Sequence, residues 1–228
     1  MRIITAFLTF AFLTFACTQQ NAEKKAGFDG DYKLWNECQL KDVMSYNLFR
    51  KALTGYRQIN NLKKKDVLTI IDFSKPSSEN RFFVVDLKNK KLLFNCLVAH
   101  GKNSGDLYAA SFSNEQNSLK SSLGFFITAE TYYGANGYSL KLDGIEKGIN
   151  DKAREREIVI HGADYVCQSF VTRYGRIGRS WGCPALPEEL AEKIINTISN
   201  GSCLFIYADD KFYMEHSQLI PGLVANNK

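Results

Sequence analysis

Close-spaced metal ligands are missing from this chain. Only three of its 228 residues are histidine, His100, His161 and His216, and neither C-x-x-C nor H-x-x-x-H occurs. The paired ligands that a zinc-type site draws from one helix or loop are therefore absent, and no metal is expected. Long apolar runs are missing as well. The longest, Ile3 to Phe15, is broken by threonines and falls short of the ~20 residues that cross a bilayer. Charge of one sign is scarce: 29 Lys and Arg stand against 24 Asp and Glu, a net of +5 with the basic residues scattered among acidic ones, which argues against a dedicated nucleic-acid binder. Proline is rare, at four, yet Pro184 and Pro187 both fall in the stretch SWGCPALP, Ser180 to Pro187.

A cysteine in that stretch is poorly placed to fill a core, because Gly182 and Pro184 work against regular structure on either side. It is well placed to be presented. The length suits a single domain with a real core. Ahead of it, residues 1–17 read as an export signal, with an Arg, an apolar run and then Ala-Cys, and residues 18–36 read as a polar tether. The arrangement around Cys17 resembles a bacterial lipoprotein signal, with Thr14 where a leucine is usual, and implies a lipidated Cys17 and an exported protein anchored to a bacterial membrane, facing the periplasm or cell envelope. Four further cysteines, Cys38, Cys96, Cys167 and Cys203, are left either for one or two disulfides or for buried free thiols.

Residues 37–228 read as one catalytic-size domain. Leu40, Val43, Met44, Leu48, Ala52, Tyr56 and Ile59 recur at helical spacing and predict a helix over 40–59. Seven short runs rich in Val, Ile, Phe and Tyr follow: DVLTIIDF, RFFVVDL, KLLFNCLVA, LGFFITAETY, YSLKLDG, EIVIH and CLFIYAD. Two helices interrupt them. One is expected between Ala163 and Tyr174, and the other after Pro187, with Glu188 and Glu189 in its first turn, Leu190, Ile194, Ile195 and Ile198 on one face, and Gly201 as its stop. The fold class is a β-rich α+β domain with a preceding N-terminal helix.

For Cys183 to attack at neutral pH it needs a base, since the thiolate is the nucleophile and a free thiol has a pKa of roughly 8.5. His161 ends the run EIVIH and is followed at once by Gly162, so its ring projects from a strand end, where catalytic groups gather. The helix expected after Ala163 and a loop separate it from Cys183, which lets the fold join the two. Either residue alone is commonplace. Their pairing is what points to chemistry.

IVIHGADY followed by GRIGRSWGCPALP resembles the signature of the L,D-transpeptidases, a His-Gly and further on Ser-x-Gly-Cys. The resemblance extends upstream through VAHGKNSG, FSNEQNSLKSSLGFF, TYYGANGYSLKLDG and NDKARERE, from Asn80 to Ala208, and is to the murein L,D-transpeptidase catalytic-domain branch. It implies acyl transfer on peptidoglycan stem peptides without a cofactor. Cys183 would form the thioester and expel D-alanine, and His161, held by the Gly162 carbonyl, would take the thiol proton. Gly182 and Cys183 would offer backbone N–H groups to the oxyanion, and Ser180 fills the serine position. Trp181 stands where His or Arg is common, and the Arg that often follows the cysteine is missing. Arg179 or Arg176 is therefore expected to hold a substrate carboxylate. Tyr133 is expected on an aromatic wall over the substrate, ahead of Tyr132 and Tyr138, and His100 either lines the cleft or holds a loop. Two rival readings are an L,D-carboxypeptidase built on the same site and a non-catalytic cell-wall-binding lipoprotein.

Overall fold

The computed structural model describes residues 29–220; Cys17 and the expected signal lie outside the described residues. The chain begins there with helix α1 over 29–37, where a tether running to residue 36 was expected. Apolar side chains explain the difference. Trp35 is buried and its indole N–H donates to the Met44 carbonyl at 3.0 Å, while the Arg57 guanidinium grips the buried Asp31 carboxylate.

Helix α2, Tyr46–Tyr56, is shorter than the 40–59 periodicity predicts. Ser45 is extended and its side chain accepts from the Leu48 N–H at 3.2 Å, an N-cap that starts the helix there. Leu40 and Met44 stay buried, but in the turns before the cap. The helix lays Leu48, Phe49, Ala52 and Leu53 on the core. Gly55 lets it come close: a Cβ there would sit 2.1 Å from Phe125 Cζ.

The core is one eight-stranded mixed sheet in the order β3-β2-β1-β8-β4-β5-β6-β7. Its strands are β1 Val67–Asp72, β2 Phe82–Asp86, β3 Lys91–Cys96, β4 Gly124–Gly134, β5 Gly137–Gly144, β6 Val159–Ala163, β7 Ala185–Pro187 and β8 Cys203–Tyr207. Pairing is antiparallel except β1 with β8 and β6 with β7. β1 and β8 are buried along their whole length, which is why VLTIID and CLFIY read as near-continuous apolar runs. Phe125 stacks on Phe205 at 4.2 Å between centroids, tying β4 to β8. The fold is α+β and β-rich, as the sequence predicts.

Three helices complete it. α3, Gln168–Tyr174, ends at Gly175, and α4, Glu188–Ile198, buries Ala191, Ile194, Ile195 and Ile198. Leu190 is only partly buried, and α4 stops at Ser199, two residues before Gly201. α5, Lys211–His216, carries His216 in its last turn. The eighth strand was not expected, because β7 is three residues long and includes Pro187; its place on the sheet is set by parallel pairing with β6. Among the described residues no disulfide forms: Cys38, Cys96 and Cys203 are buried free thiols, and Cys167 is a half-buried one.

Candidate active site

The β6–β7 register creates the site. His161 pairs with Ala185, so the two residues before β7, Pro184 and Cys183, are carried back along β6 toward its start. There the Val159 N–H meets Cys183 Sγ at 3.5 Å, and the thiol faces the Glu157 carbonyl at 3.6 Å. Burial pushes the thiol's pKa above its ordinary value; the Val159 N–H and the Arg156 charge oppose this, and Glu157 adds to it. At neutral pH Cys183 is therefore a thiol that needs a base.

His161 is buried, and its Nδ1 donates to the Gly162 carbonyl at 2.8 Å, leaving Nε2 as the lone-pair nitrogen. Burial holds its pKa below the ordinary value, against the pull of that carbonyl, so the ring is neutral at pH 7. No hydrogen bond joins imidazole and thiol among the described residues; both stand at the β6–β7 end of the sheet.

Ser180 organises the nucleophile loop from within. Its hydroxyl donates to the Cys183 carbonyl at 2.6 Å and accepts from the Gly182 N–H at 3.1 Å. The Gly182 N–H, expected to face an oxyanion, is thus already used. The Cys183 N–H has no such partner among the described residues. The loop is fastened to residues 100–102 by the Ser180 N–H to the His100 carbonyl and the Lys102 N–H to the Ser180 carbonyl. Gly182 adopts φ 130°, and a Cβ on it would lie 2.9 Å from the Lys120 carbonyl, so only glycine fits.

Several expected substrate contacts are placed elsewhere. Arg179 reaches Asp106 at 3.2 Å and the Gly105 carbonyl at 2.9 Å, and Arg176 reaches the same Asp106 at 2.7 Å, so both tie down the 105–106 loop. His100 is completely buried rather than lining the cleft. Arg81 donates to its Nδ1 at 2.8 Å, which makes Nε2 the donor toward the Gly105 carbonyl at 3.4 Å. Burial, reinforced by Arg81, lowers the His100 pKa to about 4. Stability carried by this neutral ring is full above pH 6.5, falls as the unfolded chain alone takes up a proton between 6.5 and about 4, and falls no further below that. The His100 share of that loss is about 3 kcal/mol, read by urea unfolding as the difference between the parent and His100→Gln across this window. The His161 ring shifts the same way, so His100→Gln should reduce the loss without abolishing it.

Cys183 opens on a cleft of about 490 Å³ walled by Tyr132, Asn136, Lys141, Leu142, Arg154, Glu157 and Val159. Tyr132, not Tyr133, faces it. Strand alternation turns Tyr133 outward, where it is 80% exposed and leans on Tyr138 at 5.2 Å. Trp181 is 75% exposed beside the nucleophile, with the Lys102 ammonium 5.7 Å from its ring. Sequence reading missed Lys141, Arg154 and Arg156. The first two pair with Glu130, and Arg154 also with Asp143. Among the described residues no group of three or more His, Cys, Asp or Glu is placed to hold a metal.

Residues 40–207 match the family described as L,D-transpeptidase catalytic domain. No curated protein matches the chain. Among solved structures, an L,D-transpeptidase from Mycobacterium smegmatis is 15% identical with a TM-score of 0.39, the alignment covering 63% of this chain and 59% of that one. An L,D-transpeptidase from Mycobacterium tuberculosis is 14% identical with a TM-score of 0.36, covering 63% and 58%. The helical cell shape determining protein Pgp2 from Campylobacter jejuni is 15% identical with a TM-score of 0.42, covering 72% and 55%. The chain thus spans less than two thirds of the length of each. The family match takes in the whole sheet, His161 and the Cys183 loop, and the chain belongs to the L,D-transpeptidase catalytic-domain family.

Proposed function

We propose that the protein is a cysteine L,D-transpeptidase of peptidoglycan stem peptides, acting by acyl transfer through a thioester on Cys183. The observation that carries this reading is the β6–β7 pairing, which sets a presented thiol and a neutral imidazole of fixed tautomer at one end of the sheet, with the thiol on an open cleft. Sγ leaves the Glu157 carbonyl and turns to His161 Nε2, which takes the proton as sulfur attacks the donor carbonyl. The Cys183 N–H supports the oxyanion; the Gly182 N–H joins it only by giving up Ser180 Oγ. The imidazolium returns its proton to the departing D-alanine amine, and neutral His161 then deprotonates the acceptor amine that cleaves the thioester.

Tyr132 and Trp181 offer apolar faces to the peptide and sugar portions of the substrate. A tetrapeptide-bearing muropeptide tests the reading directly. Mass spectrometry is expected to show loss of D-alanine with appearance of cross-linked dimers. Free tripeptide in place of dimer would mean that water is the acceptor and the enzyme an L,D-carboxypeptidase; intact substrate would leave a binding protein.

The protein works at the cell envelope, exported and held to a membrane by lipid on Cys17. Mature protein from native membranes is expected to begin at a lipid-modified Cys17, and Cys17→Ser to leave the membrane fraction. A native N-terminus beyond Cys17 would exclude the anchor.

A further inference from the structure

Arg156 immediately precedes Glu157, whose carbonyl faces the Cys183 thiol. Its guanidinium is half-buried, and every hydrogen bond it makes goes to a neutral oxygen: the Ser113 carbonyl at 2.6 Å, Ser122 Oγ at 2.5 Å, Ser118 Oγ at 3.1 Å and the Lys120 carbonyl at 2.7 Å. Arg57, Arg154, Arg176 and Arg179 all pair with carboxylates, whereas Arg156 has none at ion-pair distance among the described residues. Glu115 is the carboxylate that acts on it, less than Cys183 does, and it is turned to Lys152 at 3.3 Å.

A guanidinium withdrawn from water without a counter-ion costs free energy that a neutral donor would avoid. The charge therefore calls for a partner that becomes negative. Geometry supplies one: the Lys120 carbonyl that Arg156 holds is the atom 2.9 Å from the position of a Cβ on Gly182, the residue before the nucleophile. Ser121 Oγ, on the same strap, donates to the Gly182 carbonyl at 3.1 Å.

We propose that Arg156 is a positioning residue for the nucleophile, its fixed charge serving as counter-ion to the Cys183 thiolate while its hydrogen bonds lock residues 113–122 against the nucleophile loop. This rests on Cys183 being the attacking group. Other charges around the sulfur do not fill the role. Glu157 opposes the thiolate, and Tyr165, pushed up to about 12 by burial and then by Cys183, is neutral. Lys141 and Arg154 on the cleft wall are offset by Glu130 and Asp143. Lys120 Nζ turns to Ser111 Oγ at 2.7 Å and is not among the charges that act on the Cys183 sulfur, and His161 is uncharged until it accepts the thiol proton.

The test is the pH dependence of iodoacetamide alkylation at Cys183 in the full chain, read on the Cys183 peptide by mass spectrometry so that other cysteines do not interfere. Arg156→Met is expected to move the midpoint up by about one pH unit and to slow alkylation at neutral pH about tenfold. Arg156→Lys, which keeps charge but not the fork of hydrogen bonds, should recover most of the shift. Ser118→Ala with Ser122→Ala, which loosens the clamp and leaves the charge, should keep the parent's midpoint. An unshifted Arg156→Met, or equal shifts in the Lys and double-serine variants, would overturn the proposal and reduce Arg156 to a tie for the strap. If Arg156→Met does not fold, parent-like midpoints in the other two support the proposal and shifted ones overturn it. Failure of the nucleophile assignment itself reads out separately, as carbapenem acylation of the parent that is absent or maps away from Cys183.

Discussion

Cys183→Ala is expected to form no acyl-enzyme. Incubated with a carbapenem, a reactive acyl donor, the parent should gain the mass of one adduct on the Cys183 peptide, and the variant should gain none at any pH or time. The effect is total because the sulfur is the atom that forms the bond, and no neighbouring hydroxyl is free to replace it: Ser180 Oγ is engaged with the Cys183 carbonyl and the Gly182 N–H. The fold should survive. Cys183 is partly exposed and its sulfur makes two weak contacts at 3.5 and 3.6 Å, so the cost in stability is about 1 kcal/mol or less. By contrast Cys38, Cys96 and Cys203 are buried, and replacing them should lower the melting temperature while leaving acylation intact. An adduct on Cys183→Ala with the parent's kinetics would move the nucleophile elsewhere.

His161→Gln is the second large effect, and its sign with pH follows from the directions of two shifts. The Cys183 thiol is pushed up and the His161 imidazole is held down, so at pH 7 the resting pair is thiol and neutral base. The parent therefore works across the neutral range, and loses acylation as pH falls below the lowered imidazole value and the base is protonated. Glutamine cannot titrate. Acylation at pH 7 should drop by about 10²–10⁴-fold, the usual contribution of a positioned base. The loss should shrink as pH rises past the ordinary thiol value of roughly 8.5, because the thiolate then forms without help. In the parent the two groups are coupled, so the midpoints of its profile belong to the pair. His100→Gln is the control: its ring is buried against Arg81 and titrates at about 4, so the acylation profile should keep its shape. A flat, parent-like rate in His161→Gln would remove His161 from the mechanism.

What the sequence determined by itself was whatever short-range pattern encodes. The apolar runs of β1 and β8 announce strands, and Ile194, Ile195 and Ile198 following Glu188 and Glu189 announce an amphipathic helix with acid in its first turn. His161-Gly162 and Ser180 to Cys183 were legible for the same reason: each group is local, and its residue types carry their chemistry with them. Which tyrosine meets the cleft was not legible: Tyr133 was expected there, and the β4 register, shifted between Thr128 and Thr131, puts Tyr132 there instead. Only the tertiary structure decided the rest. β7 is too short to have a periodicity and exists because β6 offers it a parallel edge. Trp35 and Asp31 turn the end of an apparent tether into a helix through Met44 and Arg57, residues distant along the chain. The same holds in the site. Arg176 and Arg179 are drawn to Asp106, and His100 into the core beneath Arg81, each by contacts whose partners no spacing rule connects. Arg156 looks like one more basic residue in NDKARERE; that it stands without a carboxylate beside the nucleophile loop depends on a strap contributed by residues 113–122, which the folded chain alone brings there.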